Sequence, residues 1–149
     1  GGVIRQLETV QLEEIGAVLV QELGVAPGKH CSLTMVSGHP VLGIPGPPGG
    51  AQLICQYYVK AALQLLMTGK TTPPTVIPAE LAEDIPAKEI DFMQPVELFE
   101  ENRRLFARCL SPMGKSRAQN RSASQRILYC PKGTGFRKGD VVSIEFPWL

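Results

Sequence analysis

At 149 residues, 44% of them apolar and with a formal net charge of +1, the chain is long enough for one full domain or two small ones. So even a charge balance excludes a nucleic-acid footprint and an acidic tail. Apolar runs are too short, or too interrupted by Lys60 and Gln64, to serve as a membrane span, and no secretory signal is visible. The chain starts Gly1-Gly2 without methionine, which reads as a fragment, a processed product or a trimmed chain.

In chain order, Leu7 to Ile15 carry apolar residues at Leu7, Val10, Leu12 and Ile15 with glutamates between them, the pattern of an amphipathic helix that Gly16 can stop. Ala17 to Val20 reads as a buried strand, and Pro27-Gly28-Lys29-His30 as a turn. Cys31 to Val36 and Pro40 to Ile44 read as two strands joined at Ser37-Gly38. Next comes Pro45-Gly46-Pro47-Pro48-Gly49-Gly50, a rigid loop that opens a helix. Backbone N–H groups and the positive end of the helix dipole suit an anion at such a place, a phosphate or an oxyanion. Each of the three prolines fixes φ and removes a donor, so the glycines supply most of the N–H groups. The later Gly69-Lys70-Thr71 does not complete a Walker loop, because Gln64 stands where its first glycine belongs.

Gln52 to Met67 is the strongest helix signal, and it is apolar on most sides. Such a helix either fills a large core or lies in a domain or subunit interface. Thr68 to Pro74 reads as a linker, after which the texture changes: short strands, no long helix pattern, one helical turn at Ala79 to Glu83, and a mixed acidic stretch between Glu80 and Glu101, the region being punctuated by Pro78, Pro86 and Pro95. Arg104 to Leu110 reads as a strand, Ser111 to Ser124 as a basic flexible loop, Ile127 to Cys130 as a strand, Gly133 to Asp140 as a turn region and Val141 to Phe146 as a last strand. The second half is therefore a small all-β module. Cys31, Cys55, Cys109 and Cys130 form no C-x-x-C pair and have no histidine at zinc-ligand spacing, so they read as buried, reduced thiols of a cytoplasmic protein.

Two stretches together resemble the MoeA-type molybdopterin molybdenumtransferases, whose animal relatives include the C-terminal part of gephyrin. One is the helix ending in Glu14-Ile15-Gly16 that runs through a strand into Pro27-Gly28-Lys29. The other is Pro40-Val-Leu-Gly-Ile-Pro-Gly-Pro-Pro48, similar to the family's Pro-Val-Phe-Gly-Leu-Pro-Gly-Asn-Pro, with the long helix following in the right place. Arg104-Leu-Phe-Ala-Arg108 and the Tyr129 to Ile144 hairpin resemble the family's last β domain, and Gly1-Gly2-Val3 resembles the remnant of its Gly-Gly loop. Pro47 replaces the family's asparagine, His30 replaces a proline, and Asn120-Arg121-Ser122 is the best counterpart of a Gln-Ser-Ser segment.

The resemblance implies part of a molybdopterin-binding three-layer α/β domain over residues 1–72, followed by a barrel-like all-β domain over 73–149. It implies molybdate insertion into adenylylated molybdopterin with Mg²⁺, in a homodimer, with molybdopterin adenylyltransferase as a possible partner. By the same resemblance Lys29, Pro45 and Pro48 form the catalytic loop pair. Gly28, Lys29, Gly46, Gly49, Arg104, Arg108 and Ser122 bind the pterin nucleotide, Lys29 gripping the anion as a point charge and the arginines offering bidentate contacts. The acids that hold the metal in the family lie mostly in segments this chain lacks, so the metal ligands are unknown. Other readings stand beside this one. Lys29 also suits a solvated turn, the prolines suit plain turn formation, and on alternation one of the two arginines can simply cover surface. The whole chain also suits a non-catalytic binding or scaffold module, or an oligomerisation fragment pairing through Gln52 to Met67.

Overall fold

The computed structural model describes residues 15–110 and 126–146. The helix expected at Leu7 to Ile15, the Gly1-Gly2-Val3 loop, the Ser111 to Ser124 loop and Ser122 fall wholly or mostly outside these residues.

Strands β1 (Ala17–Val20), β3 (Ser32–Val36) and β4 (His39–Gly43) form a three-stranded antiparallel sheet in the order β1-β3-β4. β3 and β4 are joined by Ser37 and Gly38, both at positive φ (49° and 80°), as a two-residue hairpin with right-handed twist requires. After β4 the chain runs through the proline loop into helix α1 (Pro48–Ile54), a π-helical turn (Cys55–Val59) and helix α2 (Lys60–Thr68). Pro48 suits the first helical position, where its missing N–H costs nothing. In the π turn the Lys60 N–H reaches back five residues to the Cys55 carbonyl. Gly69, at φ 72°, closes α2 and donates to the Leu65 carbonyl at 2.8 Å.

The Gln52 to Met67 helix therefore exists, begins earlier at Pro48, and is not buried throughout. Leu53, Ile54 and Gln56 are buried, whereas α2 has no buried residue. The expected turn of helix at Ala79 to Glu83 is instead the end of strand β5 (Thr75–Leu81). Thr75, Val76 and Ile77 are β-branched, and Ala79 and Leu81 are buried on either side of Glu80, a period of two.

The acidic stretch yields an eleven-residue strand, β6 (Asp91–Glu101), longer than the short strands expected. Pro95 does not break it, because β6 changes partners there: residues up to Pro95 pair with β8 (Ile127–Cys130), and Val96 onward pairs with β7 (Arg104–Cys109). A proline at such a handover forfeits no ladder bond. With β9 (Val141–Phe146) the strands close in the order β6-β7-β5-β9-β8 and back to β6, a five-stranded barrel. Its interior is filled by Leu81, Val96, Ala107, Leu128, Cys130 and Ile144 among others, all within 3% of full burial. The chain is thus mixed α/β with a barrel, as the sequence implies.

Among the described residues, a strand pairing and a side-chain hydrogen bond link the halves. β2 (Val25–Ala26) pairs in parallel with β6 at Asp91 and Phe92, extending the barrel's sheet by one short strand. The Tyr57 hydroxyl in the π turn donates to the Glu145 carboxylate of β9 at 2.6 Å.

Candidate functional site

The two motifs singled out by spacing meet in space. The first is a turn closed by the Leu23 N–H on the Lys29 carbonyl (2.8 Å) and the Cys31 N–H on the Gly28 carbonyl (3.0 Å). Gly28 sits at φ 123°, a conformation other residues rarely adopt, and a Cβ there would lie 3.1 Å from Ile54 Cδ1 of α1. The second motif packs on it from the helix side: a Cβ on Gly50 would stand 3.3 Å from Pro45 Cγ and 3.4 Å from the Gly28 nitrogen. Buried Pro45, Gly28 and Gly50 form one contact that fixes the proline loop to the turn.

Gly46, Pro47, Pro48 and Gly49 are exposed, and nothing lies within 4 Å of where a Cβ would stand on Gly46 or Gly49. The loop therefore offers open backbone on its outer side. No side chain caps the helix, and helix geometry leaves the N–H groups of Gly49 and Gly50 without intrahelical acceptors. Their dipoles favour an anion. Pro47 and Pro48 contribute no donor.

Lys29 and His30 stand at the exposed end of the turn, and both reach Glu22. Lys29 Nζ lies 3.5 Å from one carboxylate oxygen and His30 Nδ1 3.1 Å from the other. The His30 hydrogen bond, followed by Lys29, holds the Glu22 carboxyl below its ordinary value. An incoming anion meets Lys29 half-exposed and already paired, so it must compete with Glu22.

Arg104 and Arg108 sit elsewhere. They share the outward face of β7 with Phe106, since residues two and four apart in a strand point the same way. Alternation thus places both on one side rather than dividing them. Arg104 pairs with Glu80 of β5, and Arg108 donates through Nε and Nη2 to Glu97 of β6 at 3.1 and 3.0 Å. Arg108 lies over the Phe99 ring, Arg104 over Phe106, and the two rings stack at 5.6 Å. Neither guanidinium contacts the loop or the turn.

Gly50 and Glu22 are the participants that sequence reading passed over. Gly50 had a signal, a second glycine after Pro-Pro at the helix start; Glu22 had none, since its pairing depends on how the turn folds back. The four cysteines are free, Cys31 and Cys130 buried and Cys55 and Cys109 half-buried. Burial, then Glu83, then Cys130 push the Cys109 thiol up to about 11. Among the described residues no helix is long and apolar enough to cross a membrane, and no group of three or more His, Cys, Asp or Glu is placed to hold a metal ion.

No protein-family model and no curated protein matches the sequence. Solved structures do match the fold. Over 95% of this chain and 35% of its own length, a molybdopterin biosynthesis MoeA protein from Pyrococcus horikoshii superposes with a TM-score of 0.76 at 21% identity. A second structure of a MoeA protein from the same organism gives 0.68 at 22%, covering 97% of this chain and 39% of that one. A molybdenum cofactor biosynthesis protein from Pyrococcus furiosus gives 0.67 at 19%, covering 96% and 53%. The chain thus spans from about a third to about half the length of these proteins. The resemblance to MoeA-type proteins holds in three dimensions, barrel included.

Proposed function

We propose that this chain belongs to a protein of molybdenum cofactor synthesis, inserting molybdate into adenylylated molybdopterin. One observation carries the reading: the Pro-Gly-Lys turn and the Pro-Gly-Pro-Pro loop, far apart in sequence, lock together through Gly28 and Gly50 in a fold shared with MoeA proteins. Molybdate and the pterin nucleotide are both anions, and electrostatic preorganisation is what the chemistry asks of a protein. The open backbone of Gly46 and Gly49 and the ammonium of Lys29 supply it, while buried Pro45 and first-turn Pro48 keep that backbone still. The resemblance assigns Mg²⁺ to the reaction, but the described residues assemble no ligand set for it, so no step is routed through the metal. The substrate would come from a molybdopterin adenylyltransferase in the cytoplasm, a compartment that suits four free thiols.

A second reading is a non-catalytic module that binds molybdopterin or scaffolds a partner. The ion pairs of Arg104 and Arg108 on the outer barrel face favour it, since both guanidiniums are engaged away from the loop.

Calorimetric titration of adenylylated molybdopterin into the protein and into Lys29→Ala tests the binding role. The expected result is binding that the substitution weakens by about 1–3 kcal/mol, the scale of a hydrogen bond to a charged group. No binding, or binding indifferent to Lys29, overturns the assignment. Binding without molybdate turnover selects the second reading.

A further inference from the structure

Glu22 puts a negative charge where an anion is to bind. It lies between β1 and β2, and the Leu23 N–H bonded to the Lys29 carbonyl pins that segment against the turn. Its carboxylate therefore stays within reach of Lys29 whenever the turn is folded. The two cationic side chains divide that carboxylate between them. His30 Nδ1 lies 3.1 Å from Oε1, an ordinary hydrogen-bond length, whereas Lys29 Nζ stands 3.5 Å from Oε2, longer than an ordinary one. All three side chains are 40–51% exposed, so exchanging one partner for another buries no charge and costs little.

This geometry sets the order of events when an anion arrives. The longer contact, Lys29 to Oε2, is the one that opens, and it opens by side-chain rotation with the backbone bond at Leu23 intact. Glu22 then keeps His30, so its carboxylate is not left beside the incoming charge without a donor. Tethered within the turn, a carboxylate competes for Lys29 at an effective concentration on the order of millimolar. An anion that touches Lys29 alone gains nothing over Glu22, whereas one that also engages the open backbone of Gly46 and Gly49 does. We propose, resting on the reading of turn and loop as an anion site, that Glu22 is a resident counter-ion: it holds Lys29 in the empty site, sets the affinity an oxyanion must exceed, and passes to His30 when Lys29 is taken. Glu22 and His30 are thus positioning residues that act through Lys29.

Calorimetric titration of adenylylated molybdopterin into the parent, Glu22→Gln, His30→Ala and the double variant tests it. Glu22→Gln is expected to bind about two- to fivefold tighter than the parent, the strength of an exposed ion pair. A substitution that merely damaged the turn would not raise affinity. His30→Ala is expected to bind more weakly, because Glu22 then has Lys29 as its remaining partner. In the Glu22→Gln background the same His30→Ala change has no effect, the signature of two residues acting through one another. A second measurement needs no ligand: acetylation of Lys29 by acetic anhydride, read by mass spectrometry, runs faster in Glu22→Gln and slower in His30→Ala than in the parent. Glu22→Gln binding no tighter than the parent, His30→Ala weakening binding equally in both backgrounds, or Lys29 acetylation indifferent to Glu22 overturns the proposal and leaves the anion site standing. No binding by the parent or by Glu22→Gln overturns the anion site itself, and the counter-ion role with it.

Discussion

Arg103 is held at φ 62° beside Asn102 at 51° in the two-residue turn between β6 and β7. Positive φ at both positions matches the strand twist, but asparagine tolerates it and arginine does not. Arg103→Gly relieves a left-handed strain of about 1–2 kcal/mol and returns part of it as unfolded-chain entropy. The expected net gain is about 0.5–1 kcal/mol, read from the urea midpoint; a loss would show that the side chain holds the turn in place. At Glu22 and Asp91 the prediction concerns pH. The carboxyl of Glu22 lies below its usual 4.5, held by His30 and Lys29, and that of Asp91 lies below 3.8, held by the Lys132 N–H and the Tyr129 hydroxyl. A depressed carboxyl stabilises the fold above its unfolded value and loses that contribution as pH falls through its folded one. Melting temperature is therefore expected to drop as pH falls below about 4.5, and less steeply in Glu22→Gln and Asp91→Asn than in the parent. Equal slopes would remove these pairs from the account of acid stability.

At the scale of elements, the turn at Pro27–Lys29 and the loop before α1 depend on glycines for opposite reasons. Gly46 and Gly49 look out on open space, whereas Gly28 and Gly50 are pressed together. Gly28→Ala combines an unfavourable φ with a 3.1 Å approach to Ile54, and is expected to cost roughly 1–3 kcal/mol in thermal or chemical denaturation. An unchanged midpoint would mean the turn can move off the helix freely. Most strands were legible because they are local: Ala17 to Val20, Ile127 to Cys130 and Val141 to Phe146 lie where their apolar runs put them, although β1, expected to be buried, leaves Ala17 and Leu19 exposed. Elements went unread where pairing rather than composition decides. Pro78 and Pro95 read as punctuation, yet each lies inside a strand because neighbouring strands arrive only where a proline does no harm. β2 is two residues long and exists only because β6 runs beside it. At the candidate site the Gly/Pro loop and the Lys29 turn stood out in the sequence. The pairing of Lys29 with Glu22, and of each arginine with a carboxylate on a neighbouring strand, depends on tertiary placement and left no local pattern.

For the whole molecule, the sheet-and-helix half meets the barrel through the β2–β6 pairing and through Tyr57, whose hydroxyl donates to Glu145. Burial, reinforced by that carboxylate, raises the Tyr57 hydroxyl far above its ordinary 10. Removing the hydroxyl in Tyr57→Phe is expected to cost about 1.5–3 kcal/mol, the range for hydrogen bonds to charged partners. It should also speed amide exchange in the π turn and in the facing part of β9. Unchanged exchange in β9 would show that the halves are tied by strand pairing alone. The π turn that carries Tyr57 also acts as a phase shifter. One inserted residue advances everything after it by about 100° around the helix axis. Deleting a single residue from Cys55–Val59 would rotate α2 back by that angle, bringing Leu65 towards the slot now held by Gln64 and turning other residues to solvent. A one-codon deletion is therefore enough to exchange Gln64 for Leu65 on the half-buried side of this helix while Leu63 and Leu66 stay outside.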